Sequence, residues 1–386
     1  MGALLILTLL PPARASGWRQ VGSVRSGYGD VLHFVDANDG WLIGGDTTAG
    51  PDDTLVGHST RDGGATWDEL HIPAFRESPN GRYSWGVGRG PFAAFRLDKS
   101  EAWVGGAELI AHTVDGGATW EITPLWPAVI FTRELIGLTD RGPLGVHGLH
   151  FHDRDQGLML VTADDVKDGG TNGAAVLATH DGGHTWEQRA VSRRPPPNNF
   201  IGDSLSMASA SLGWMTHRLG TLYVTTDSGA TWRGTGYGVR RAHVAADGNV
   251  WATTAEGASD EPVYLARSSD LGQTWEPATV AADLPEEFSS HGGLSSLTLP
   301  QDGRGWAVGA FGVVLATEDG ATWTREDTPT TSRLLDVQYV EGVVYATGED
   351  GVVLKRDAAS TAVHATAKRP TTWARTKAGQ RRDGSR

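Results

Sequence analysis

The side chains with chemical potential in this sequence fall into three sets. The first is a series of arginines, Arg82, Arg89, Arg133, Arg193, Arg194, Arg240, Arg241 and Arg333, with Tyr83 and Trp85 among them. Guanidinium forks bind carboxylates two bonds at a time, and aromatic neighbours suit a peptide, so this set points to anion or acidic-peptide recognition. The second set is Tyr28, Tyr83 and Tyr237 with Glu134 and Glu286, which could supply the activated tyrosine of a glycosidase if arginines held the substrate's carboxylate. The third is His147, His150 and His152 beside Asp153 and Asp155, residue types that ligate metals. His150 stands in line with His33 and Gln338 of comparable segments, which favours a polar position repeated along the chain over a metal ligand. Asp164, Asp165 and Asp168 precede Gly169 and Gly170 without the alternating order of a calcium loop, and read as a solvated acidic segment. The chain holds no cysteine, which excludes disulfides, thiol catalysis and thiolate metal sites. No phosphate loop, dinucleotide fingerprint or nucleophile elbow is present, so no cofactor and no metal are expected.

A repeat must position these residues. The pattern T-x-D-x-G-x-T-W occurs at Thr60–Trp67, Thr113–Trp120 and Thr179–Trp186, then at Thr225–Trp232 and Ser268–Trp275, and once more, one residue shorter, at Thr317–Trp323. Its aspartates, Asp62, Asp115, Asp181, Asp227, Asp270 and Asp319, are spaced by 53, 66, 46, 43 and 49 residues, close to the length of a four-stranded propeller blade. The bland reading of these aspartates is preferred to a catalytic one: the aspartate accepts backbone N–H bonds, the glycine takes positive φ, and the tryptophan packs beneath the hairpin.

Ahead of each motif comes a Gly-Trp strand, as at Gly40–Gly45 and Gly305–Gly309, and ahead of that an alternating strand such as Leu32 to Phe34, Leu149 to Phe151 or Val337 to Tyr339. A seventh blade is legible only if both ends are combined. Leu334 to Tyr339, Val344 to Gly348 and Val352 to Asp357 give three strands, and Gly17 to Val21 supplies the fourth. The expectation is an all-β, seven-bladed β-propeller over residues 17–357, latched by its amino-terminal strand so that the ring has no open edge. The 52 glycines and 15 tryptophans fit that reading.

These residues carry a resemblance. The inner strand, the G-W-x-x-G strand and the motif turn together resemble the photosystem II assembly and stability factor family of propellers, over nearly the whole folded region. The wider group with this Asp-box (BNR) turn includes sialidases and sortilin-like receptors, so the turn is specific for fold rather than function. The resemblance implies a non-enzymatic ring that binds polypeptide on one face, with arginines prominent there. A sialidase-type glycoside hydrolase is the alternative; Ile72 to Arg76 holds the letters of that group's F-R-I-P signature only in scrambled order.

The turns between strands one and two and between strands three and four should share one face. The irregular segments, 46–53, 163–173 and 255–261, and the interblade stretches near 71–91, 124–146, 190–203 and 281–292 should share the other, which is where the arginines fall. Met1 to Leu10 is apolar and Ala13 to Ala15 resembles a cleavage site, although no basic residue precedes it; residues 1–16 are expected to be an export signal, placing the protein in the periplasm or outside the cell with no membrane span in the mature chain. Residues 358–386 read as a basic, solvated tail. A formal net charge of -13 argues against nucleic acid as a partner.

Overall fold

The computed structural model describes residues 17–24, 28–45, 54–73, 93–106, 109–125, 144–164, 171–193, 202–217, 221–235, 238–254, 264–300 and 303–358. They form seven sheets around a common axis. Blade 1 runs outward through Tyr28–Phe34, Gly40–Gly45, Thr54–Thr60 and Asp68–Pro73, all antiparallel. Blades 2 to 5 repeat the plan, starting from the innermost strands Ala93–Arg96, Leu144–Phe151, Gly202–Met207 and Val239–Val244. Blade 6 starts at Leu294–Thr298 and has a fifth strand, Thr279–Ala281, paired in parallel with its outer strand Thr322–Glu326. Blade 7 is built from both termini of the described chain: Leu334–Val340, Val343–Gly348 and Val352–Asp357 are completed by Trp18–Ser23. The latch read from the sequence is therefore present, and innermost strands contact one another from blade 7 back to blade 1.

Each blade ties its two turns on one face together. In the first motif the Asp62 carboxylate accepts bonds from Thr60 Oγ1 at 2.9 Å, Thr66 N at 2.9 Å and Thr66 Oγ1 at 2.7 Å. Those bonds hold the carboxyl down at about 2, the Thr66 hydroxyl contributing most. Gly63 then donates its N–H to Asn38 O in the turn between strands one and two, as Gly116 does to Ser100 O and Gly182 to Asp155 O. These two kinds of turn thus share a face, here called the motif face, as their order along the chain predicted.

Blades join through a recurring aromatic slot. A residue at or next to the end of an innermost strand lies against the second-strand aromatic of the blade before it: Phe34 stacks on Tyr345 at 3.7 Å between ring centroids, Phe151 on Trp103 at 3.6 Å and Tyr339 on Trp306 at 5.9 Å. Blade 2 departs from the pattern. Arg96 occupies the slot, its guanidinium carbon 4.4 Å from the Trp41 ring and its Nη2 2.6 Å from Asp39 Oδ1.

Two boundaries differ from expectation. Residues 163–173 were read as an irregular segment, yet paired strands run as far as Asp164 and resume at Thr171, because Ala163 and Gly173 stay in register across the hairpin. Arg193, placed in an interblade stretch, ends the strand Glu187–Arg193 opposite Gly173. Residues 1–16 and 359–386 lie outside the described residues, so the export signal and nearly all of the basic tail fall there; Ala358 is described and buried. No helix among the described residues is long and apolar enough to cross a membrane.

Candidate functional site: an arginine cluster at the mouth of the ring

The innermost strands of blades 5, 6 and 7 begin alike. A buried residue, Val239, Leu294 or Leu334, is followed by a register shift that displaces Arg240, Ser295 or Leu335 from the ladder. Such a bulge re-aims the side chain it carries. Arg240 extends its Nη1 to Gly292 O at 2.9 Å, reaching the connection that enters blade 6. Arg333, in the connection entering blade 7, donates Nε to Ser295 Oγ at 3.3 Å. Its guanidinium lies over Gly292, where an added Cβ would meet Nη2 at 2.9 Å, and Gly292 has φ +89°. The positive φ favours glycine at 292, and the guanidinium tip of Arg333 fills the space its missing side chain leaves.

The connection that organises these arginines is itself anchored. Phe288 is completely buried, Tyr264 packs on it edge-on at 5.4 Å, and Ser289 Oγ donates to the Tyr264 hydroxyl at 3.2 Å. Below, Arg241 donates its main-chain N–H to Thr253 Oγ1 at 3.1 Å and directs its charge toward Asp336. Asp336 accepts Ser296 Oγ at 2.7 Å, Val337 N at 2.9 Å and Leu32 N at 3.4 Å, so it fastens blade 7 to blades 6 and 1. Burial raises its carboxyl above the usual range, against the lowering pull of the Ser296 bond and of Arg241.

Along the innermost strands, His33, Phe95, His150, Ser206, His243 and Thr298 each face the residue that follows the opening residue of a second strand, and Gln338 faces Tyr345, the third residue of its own. Phe95 touches His33 at 5.5 Å and His150 at 4.8 Å, while Gln338 exchanges two bonds with the main chain of Phe34. Burial depresses His33 and His243 to about 4 and His150 to about 3, so all three are neutral at pH 7. No three His, Asp or Glu side chains among the described residues come together as a metal-binding group.

No family model matches the chain. It is 23% identical over 317 residues to the photosystem II stability/assembly factor HCF136, chloroplastic, of Arabidopsis thaliana, covering 77% of this chain and 69% of that one. It is also 23% identical over 330 residues to the photosystem II assembly lipoprotein Ycf48 of a Synechococcus strain, covering 83% and 82%. The chain is a seven-bladed propeller similar in sequence to photosystem II assembly factors. Among solved structures it superposes on YCF48 bound to D1 peptide and on YCF48 from Cyanidioschyzon merolae, each with a TM-score of 0.60, at 18% and 19% identity. Both cover 89% of this chain, and 98% and 99% of those chains, a likeness of fold. The WD40 propeller of Doa1 follows with a TM-score of 0.53.

Within this ring, Arg240 and Arg333 of the sequence-derived set come together at Gly292, while the charge of Arg241 acts on Asp336 instead. Arg82, Tyr83, Trp85, Arg89, Arg133 and Arg194 lie outside the described residues, and Arg193 is described only as the end of a strand. Of the glycosidase candidates, Tyr83, Tyr237 and Glu134 also lie outside, Tyr28 opens the first innermost strand, and Glu286 is exposed in the 282–293 connection. The sequence reading missed Gly292, Ser295, Ser296 and Asp336. The repeated placement of Asp336, Ser296 and Arg241 two residues after a buried aliphatic was their available signal.

Proposed function

We propose that this propeller is an exported, non-enzymatic scaffold that binds a polypeptide partner through the face bearing Arg240, Arg241 and Arg333, and that the bound segment is acidic. The observation that carries this reading is the convergence of arginines from the start of blade 5 and the start of blade 7 on one glycine, Gly292. Among the described residues Arg240 and Arg333 each spend one donor on this scaffold, to Gly292 O and Ser295 Oγ, and a guanidinium has five donors in a fixed fork. A solved propeller of the same fold is described as bound to a D1 peptide, and the curated relatives are assembly factors, one chloroplastic and one a lipoprotein, which supports both a peptide partner and a location outside the cytoplasm.

The test uses a capped, fluorescein-labelled decapeptide of Gly and Ser with two central Glu residues, followed by fluorescence anisotropy. Binding should weaken with added salt. It should be lost in the double variant Arg240→Glu, Arg333→Glu. It should persist when Arg61 and Arg233 of the motif face are changed to Glu; Arg154 is left alone there because it holds the buried Glu101 at 2.9 Å. Equal loss from both variants, or no binding by the wild type, refutes the reading.

A further inference from the structure

The hairpin joining strands two and three of blade 6 turns through Phe311 and Gly312, with φ of 57° and 66°. Val313 N bonds back to Ala310 O at 3.1 Å, so this is a type I′ turn, whose central positions normally take Asn, Asp or Gly. Blade 7 has the same turn at Asp350 and Gly351, φ 61° and 72°, and there the residue is the expected one. An aromatic residue in left-handed backbone is locally unfavourable and persists only where something else holds it.

Its neighbours are those of the arginine cluster. The Phe311 ring lies 4.9 Å from the ring of His291, the residue before Gly292. Ala310 N donates to Gly293 O at 3.0 Å, and an added Cβ at Gly312 would strike Thr330 O, three residues before Arg333. The His291 ring is half-exposed and Phe311 partly so, beside cationic groups fixed by the same glycines. Resting on the peptide-binding reading above, we infer that the Phe311 and His291 pair is the second half of that surface. The segment it binds then carries an aliphatic or aromatic side chain directly next to its carboxylate.

Three probes decide this: the acidic decapeptide already described, the same peptide with Phe after the second Glu, and a Phe peptide lacking Glu. On the wild type the Glu-Phe probe should bind about tenfold more tightly than the acidic probe, the worth of one partly buried aromatic side chain. Phe311→Asn should erase that gain and leave the acidic probe's affinity unchanged. Its melting midpoint should change little, because the turn's preference for Asn offsets the packing that Phe311 makes against the buried core of blade 6. Equal affinity of the wild type for the acidic and Glu-Phe probes overturns this inference while leaving the acidic-peptide reading standing. If neither acidic probe binds, the acidic-peptide reading falls and this inference with it. A midpoint lowered by Phe311→Asn with the tenfold preference intact assigns Phe311 to packing alone and also overturns it.

Discussion

Asp39→Ala should damage the ring more than Asp39→Ala combined with Arg96→Phe. Arg96 is the charged exception in a slot that holds Phe34, Phe151 and Tyr339 in other blades, and its side chain is only 1% exposed. Asp39, 13% exposed, is its ion-pair partner at 2.6 Å; Nη2 also reaches Lys99 O at 3.4 Å. Nε and Nη1 are buried with no partner among the described residues. Opposite charges about 4 Å apart attract by about 4 kcal/mol at an effective dielectric near 20. Desolvation costs several kcal/mol per ion, so the intact pair roughly breaks even.

Removing Asp39 alone forfeits the attraction and leaves the guanidinium buried, a loss of about 3–5 kcal/mol. Adding Arg96→Phe removes the stranded charge and installs the ring that neighbouring blades already use, so the double variant should regain about 3 kcal/mol and lie near the wild type. Urea unfolding at pH 7, followed by tryptophan fluorescence, measures all the corners of this cycle. If the two losses simply add, or if Asp39→Ala costs under about 1 kcal/mol, the account of blade 2 is wrong.

Other perturbations test the remaining architecture. Because His33, His150 and His243 are depressed from 6.5 to about 4, 3 and 4, the unfolded chain takes up protons that the folded one refuses. Stability should therefore hold above pH 6.5 and decline as pH falls from 6.5 toward 4; His243→Gln should flatten part of that slope, and a level urea midpoint across the window refutes it. Deleting residues 17–23 removes the strand paired with Val352–Asp357 and should lower the melting midpoint of the whole ring, whereas an unchanged midpoint would count against the latch. Thr113→Val should cost about 1–3 kcal/mol in chemical denaturation, because the 2%-exposed Thr113 accepts Gly117 N at 2.9 Å and donates to Asp115 at 2.9 Å; no loss would show the motif hydroxyl to be dispensable.

The ring was legible because its signals are local and repeated. Thr, Asp, Gly and Trp sit at fixed offsets in each motif, and the bonds to the motif aspartate stay within a few residues. The latch was legible by subtraction, since the last blade lacked one strand and the amino terminus offered one. The arginine cluster was only partly legible. Arg240, Arg241 and Arg333 were picked for their interblade positions, but the bulge after Val239 that aims Arg240 arises from pairing with Val250–Thr254, and no residue type announces it. The pairing of Thr279–Ala281 with blade 6 was illegible for a related reason. A three-residue segment, Thr-Val-Ala, has no period of its own, and its partner lies more than forty residues away.

The two irregular motifs show how the ring tolerates lost repeats. In regular blades the motif tryptophan donates to the second motif glycine, as Trp67 does to Gly64 O at 3.1 Å and Trp186 to Gly183 O at 2.9 Å. Blade 6 has lost one residue of its motif, and its tryptophan, Trp323, is completely buried with no partner for Nε1 among the described residues. Second-strand tryptophans also donate forward into the next blade's motif, Trp103 to Gly182 O at 2.8 Å and Trp251 to Gly320 O at 3.0 Å. Trp306 of blade 6 faces blade 7, where the motif has decayed, and its Nε1 is likewise buried without a partner. An unpaired buried N–H is unfavourable by about 1–3 kcal/mol, so these blades need other fastenings. They have them at these seams. Thr279–Ala281 adds a parallel strand to blade 6, Trp18 Nε1 donates to Glu326 at 2.7 Å, and Arg356 pairs with the same carboxylate at 2.6 Å. The seam between blades 6 and 7 is thus held on its outer side by a shared glutamate, and blade 6 gains a strand from the chain leaving blade 5, in place of the motif's own bonds.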